Sequence, residues 1–101
     1  MKKNFPLHIS GKAPARVLDA IKHDVRKYVK RERRKPVPAE FDLWEFSCKV
    51  GSDASSSEST SLDAISSALD AVAAAGADSV YVEVLAVPAR RPIARPLASS
   101  S

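Results

Sequence analysis

Two prolines, Pro14 and Pro36, bracket the stretch that most limits how this chain can fold. Between them the larger apolar residues are Val17, Leu18, Ile21, Val25, Tyr28 and Val29, separated by one, three or four positions. That spacing puts them on one stripe of an α-helix. Pro14 suits the first helical turn, where its missing N–H is not needed. Pro36 ends the helix, because the residue before a proline avoids the helical region. The spacing therefore predicts a helix over 14–35, on the order of 30 Å long. A helix with a single apolar stripe has to lie on a second layer.

The remainder of the chain supplies that layer. Asn4 to Ser10 alternates, with Phe5, Leu7 and Ile9 on one side and Pro6 and His8 on the other. This predicts a strand with one buried face, and Pro6 places it at or near a sheet edge. Gly11 marks a turn. Phe41 to Val50 alternates likewise, with Trp44, Phe46, Cys48 and Val50 opposite Glu45, Ser47 and Lys49. Gly51 to Ser61 is serine-rich, holds no apolar residue larger than Ala54, and reads as a mobile loop. A second helix follows, with Thr60 or Ser61 as N-cap, a stripe of Leu62, Ile65, Leu69 and Val72, and Gly76 as its stop. Ser79 to Val87 is the third strand. Residues 89–101 read as a disordered Pro/Arg/Ser tail, within which 92–97 allow one more short strand.

The expected architecture is α+β: one domain over 1–88, a two-layer α/β sandwich of order β-α-β-α-β(-β). Both helices lie on one face of a small mixed sheet. A right-handed crossover makes the first two strands parallel. Trp44, Phe46 and Phe5 fall on the apolar faces and are expected in the core.

Several function classes find no support. Cys48 is the single cysteine, so no intrachain disulfide forms. It reads as a small buried apolar residue, and with only His8 and His23 it does not make a zinc site. No metal and no cofactor are expected. Phe5 to Ile9 is too short and interrupted for a leader's apolar core, and Ala71 to Ala75 is far short of the ~20 residues that cross a bilayer. The expected location is the cytoplasm. Ser47 and Cys48 sit mid-strand without a base at a diagnostic spacing. Glu45 and Glu83 alternate onto one sheet face, where they form a carboxylate pair or pair instead with Lys49 or His8, while Tyr81 and His8 share that face as candidates for stacking or hydrogen bonding. Ser10-Gly11-Lys12 ahead of a helix suggests a single phosphate contact. None of these amounts to a catalytic set, so no catalysis is expected.

Charge is the informative feature. Residues 1–35 hold twelve Lys and Arg against Asp19, Asp24 and Glu32, a net of +9. Residues 36–101 hold four against nine acidic residues, a net of −5. With Ile21 at zero and about 100° per residue, Val17, Val25 and Tyr28 fall within about 40° and Leu18 and Val29 within about 80°. The remaining arc carries Lys22, Arg26, Lys30 and Arg33, with Arg16, His23, Lys27 and Arg34 beside them and Arg31 at its edge. Cations in the last turn favour the helix dipole, but Lys22/Arg26, Arg26/Lys30, Lys27/Arg31, Lys30/Arg34 and Arg31/Lys35 are like charges four apart, which repel. A polyanion that neutralises them is the simplest reason to keep them. Nucleic acid is the leading partner, RNA favoured over DNA, with phosphates met by Lys22, Arg26, Lys27, Lys30, Arg31, Arg33, Arg34, Lys35, Lys12 and Arg16. An acidic protein docking on the same face is the alternative, and a small enzyme acting on an anionic metabolite is a third reading. A membrane is not expected, since the apolar stripe is needed for the core.

Two resemblances add to this. Met1-Lys2-Lys3-Asn4-Phe5-Pro6-Leu7, Val17-Leu18-Asp19-Ala20-Ile21-Lys22, Tyr28-Val29-Lys30-Arg31-Glu32-Arg33-Arg34-Lys35 and Phe41-Asp42-Leu43-Trp44 resemble a small uncharacterised bacterial family of about this length. The likeness covers nearly the whole chain, the serine-rich stretch being its least typical part. It implies a bacterial cytosolic protein and no particular activity. At fold level, the expected element order is similar to the C-terminal domain of bacterial translation initiation factor three and to the Alba chromatin proteins, both nucleic-acid binders. No motif of either is matched residue by residue.

Overall fold

The structure is a computed structural model and describes residues 1–90. The chain runs β1 (Lys2–Pro6), α1 (Pro14–Arg33), β2 (Leu43–Gly51), β3 (Glu58–Thr60), α2 (Ile65–Ala74) and β4 (Ser79–Ala89). The strands form a four-stranded sheet of order β1-β4-β2-β3, with the helices packed against it. The α+β class is as expected, but the pairing differs from a mixed sheet. β4 enters between β1 and β2 and runs antiparallel to both, and β3 is antiparallel to β2. β1 and β2 still point the same way, as the crossover through α1 requires. They are not neighbours, so every adjacent pair is antiparallel.

β4 is the centre of the molecule. Its register sets Phe5 opposite Val80 and Lys3 opposite Val82 on one side, and Cys48 opposite Val84 and Val50 opposite Val82 on the other. Val80, Val82 and Val84 are wholly inaccessible to solvent. Above them lie Val17, Ile21, Val25 and Val29 of α1 and Ile65 and Leu69 of α2, with Leu7, Cys48 and Val50 completing the core. Burying a side chain of this size contributes about 1.5–3 kcal/mol. Cys48 takes the small apolar role read from the sequence, and burial pushes its thiol pKa up.

Pro6 ends an edge strand, where a missing donor costs no ladder bond. β1 stops there rather than at Ser10, although Leu7 still donates its N–H to the Asp78 carbonyl at 2.9 Å. Trp44, Phe46 and Phe5 are half-buried rather than fully inside. Phe5 lies on the edge strand with the Lys3 ammonium 5.4 Å from its ring centre. Trp44 is at the start of β2, level with the end of α1, where its Nε1 donates to the Lys35 carbonyl at 2.9 Å.

The stretch 51–61, expected as a loop, contains β3. Three polar residues, Glu-Ser-Thr, have no apolar alternation to announce a strand, and the ladder to β2 is made by backbone alone. The turn before it is built on Asp53, whose Oδ1 accepts from Ser55 Oγ and Ser56 N–H, both at 2.8 Å. These bonds, the Ser55 hydroxyl first, hold the Asp53 pKa below the ordinary carboxylate value. Gly51 admits the returning chain, since a Cβ there would sit 2.6 Å from the Ser57 Cα. Ser61 Oγ accepts the Ala64 N–H at 3.1 Å, one turn ahead of α2. Gly76, at φ +86°, takes the left-handed conformation that follows the helix. β4 extends two residues past Val87. The tail and the strand considered over 92–97 lie outside the described residues.

Candidate nucleic-acid interface

α1 meets the core through Val17, Ile21, Val25 and Val29, four residues apart, and this fixes where its charges go. One buried residue on that face is charged. Glu32 is 8% exposed, and its helical angle is within about 20° of Ile21. Its carboxylate accepts from Lys35 Nζ at 2.8 Å and lies 3.5 Å from Arg31 Nε. The Lys35 hydrogen bond, more than the neighbouring charges, lowers the Glu32 pKa, against the opposing effect of burial. Arg31 also lies over the Tyr28 ring at 5.4 Å. Arg31 and Lys35 are therefore partly neutralised within the fold. So is Lys22, whose Nζ meets Asp70 of α2 at 2.8 Å and joins the two helices.

The remaining cations of α1 stand differently. Arg16, Arg26, Lys27, Lys30 and Arg34 are exposed and have no ion-pair partner among the described residues. Arg33 holds its guanidinium 5.4 Å from the centre of the Phe46 ring. Of the five like-charge pairs, Arg26/Lys30 and Lys30/Arg34 have neither member compensated.

Beside this arc lies a groove of about 630 Å³, lined by α1, by the first turns of α2 and by Leu62 ahead of it. One wall is Lys22, Arg26, Lys30, Arg33 and Arg34; the floor and the opposite wall are Val25, Val29, Leu62, Ile65, Ser66 and Leu69. Thus five of the sequence-predicted site residues come together on one groove. Arg16, Lys27, Arg31 and Lys35 are exposed outside it, and Lys12 stands beyond the N-terminal end of α1. The groove also uses Leu62, Ile65 and Ser66, for which the sequence pattern indicates only a helix; Leu62 stands just ahead of α2. Glu32 could have been found from its angle on the helix; the α2 wall has no sequence signal.

The open face of the sheet is neutralised by contrast. Tyr81 is 8% exposed and donates its hydroxyl to Glu83 Oε1 at 2.7 Å. That bond, then Lys2, Lys49 and the N-terminal ammonium, lower the Glu83 pKa. Tyr81 is thus engaged rather than presented for stacking. His8 lies beyond β1, 3.6 Å from Asp78. Glu45 pairs in register with Val87, four residues or about 13 Å along β4 from Glu83, so the two carboxylates are not brought together. Among the described residues no group of three His, Cys, Asp or Glu is placed to hold a metal ion, and no helix is long and apolar enough to cross a membrane.

A family of unknown function (DUF6172) has a model that matches residues 1–95, and the chain belongs to that family. No curated protein and no solved structure matches the chain.

Proposed function

We propose that this member of a family of unknown function is a nucleic-acid-binding module, RNA favoured, that contacts phosphates through α1 and carries out no catalysis. A cytoplasmic setting belongs to the same reading. The observation that carries it is the set Arg26, Lys27, Lys30 and Arg34, exposed on one helix without an ion-pair partner among the described residues. The contrast with Glu83 supports it, since on the sheet the same chain balances its charges. Lys and Arg so placed gain from releasing the counterions of a phosphate backbone.

The test is fluorescence anisotropy with labelled RNA and DNA oligonucleotides across a salt series. Four phosphate contacts to a single strand give a slope of about −2.8 in log K against log salt. Changing Arg26, Lys30 and Arg34 to Glu abolishes binding and leaves the circular dichroism spectrum intact. Absence of binding to either nucleic acid at low salt, or binding indifferent to salt, overturns the proposal.

A further inference from the structure

We infer that the groove between α1 and α2 seats a single-stranded segment, with its phosphates on the α1 wall and its bases against the apolar floor, in preference to a duplex. This rests on the nucleic-acid reading and specifies the form of the ligand.

The argument starts from the groove's two-sidedness. Its rim on α1 is cationic above Val25 and Val29, whereas the opposite side is Leu62, just ahead of α2, with Ile65, Ser66 and Leu69 of α2, none of them charged. A single strand has the matching asymmetry, with charge along one side and apolar, flat bases along the other. A duplex does not, because its bases are paired inside two rails of phosphate and reach no floor.

Spacing agrees. Arg26, Lys30 and Arg34 recur every four residues, so the wall presents one cation per ~6 Å over ~12 Å, with Lys22, held by Asp70, one turn further along. Phosphates of an extended strand recur on the same scale, which makes this a site for about three nucleotides. Arg33 adds a planar guanidinium, backed by Phe46 at 5.4 Å, on which a base can stack.

An acidic amphipathic helix, about 10–12 Å across, is the other occupant, and the titration below separates the two. The chain's own end carries Arg91 and Arg95, like in charge to the wall.

The decisive experiment is methyl NMR on the whole chain, titrated with an oligo-adenosine hexamer, with the same hexamer in a duplex, and with inorganic polyphosphate. Adenine rings over the floor shift the methyls of Val29, Leu62 and Ile65 upfield, and polyphosphate does not. One stacked base is worth roughly tenfold, so the single strand binds about ten times more tightly than the duplex at equal salt. Binding of the hexamer without those methyl shifts, or equal affinity for the duplex, overturns the inference and leaves the nucleic-acid reading standing. Failure of all three ligands to bind at low salt overturns both. Floor methyls that respond to an acidic, leucine-bearing helical peptide but not to the hexamer overturn both in favour of a protein partner.

Discussion

Replacing Arg26 by Gln should stabilise the free protein while weakening its binding to nucleic acid. Arg26 is exposed at the middle of α1, two turns from the C-terminal end, so it contributes little to the dipole. Its neighbours at i±4 are Lys22 and Lys30, both cations, and its neighbours at i±3 are His23 and Val29. No carboxylate within ion-pair distance offsets it among the described residues. Gln and Arg have nearly equal helix propensity, which isolates the charge. Removing two repulsions of about 0.2–0.5 kcal/mol each gives about 0.4–1 kcal/mol. Lys22 is half compensated by Asp70, which places the value toward the lower end. For a domain of this size the gain corresponds to a rise in Tm of roughly 2–6 °C. The assay is thermal unfolding followed by circular dichroism at low ionic strength, repeated near 1 M salt, where a Debye length of about 3 Å erases the effect. In the binding assay the same variant lowers the salt slope by about 0.7. An unchanged or lower Tm at low salt, or a rise that persists at high salt, refutes the claim that α1 carries unrelieved repulsion.

Three further outcomes follow from the packing and the buried carboxylate. Glu32, with its pKa lowered in the fold, contributes stability that is full above about pH 4.3 and drains as pH falls through its folded value. The urea-unfolding gap between Glu32→Gln and the parent chain should therefore close on acidification, and a gap independent of pH contradicts the Lys35 pairing. Gly51→Ala drives a Cβ into the Ser57 backbone and should cost about 1–3 kcal/mol in chemical denaturation; a neutral result means that the β2–β3 turn yields freely. Leu69→Ala, at 0% exposure, should cost about 2–5 kcal/mol. A loss below 1 kcal/mol shows that α2 is not seated as described.

Much of the fold can be read from local pattern. Val17, Ile21, Val25 and Val29 recur every four residues, and the helix they predict over 14–35 is found over Pro14–Arg33. Strands two and four stand within two residues of their expected ends, because alternation over eight or more residues is a strong signal. β3 is invisible by the same logic, since Glu58, Ser59 and Thr60 are polar and none is fully buried. The candidate site divides in the same way. That α1 turns a basic arc to solvent follows from its apolar stripe. Which cations are already engaged depends on Asp70, forty-eight residues from Lys22, and on Glu32, whose angle on the helix betrays it only when it is read as part of the buried face.

What the amino-acid order decides alone is therefore periodicity and polarity: where helices and strands form, which side of each is apolar, and that the first third of the chain is strongly positive. These are properties of neighbours in sequence. Only the tertiary structure decides that β4 slides between β1 and β2, because strand order depends on contacts made after the chain has turned back on itself. Only the packing of α2 beside α1 divides one basic arc into a cationic groove wall and an outer face. A charge on an isolated helix has no opposite wall, and the groove exists because two amphipathic helices share one sheet.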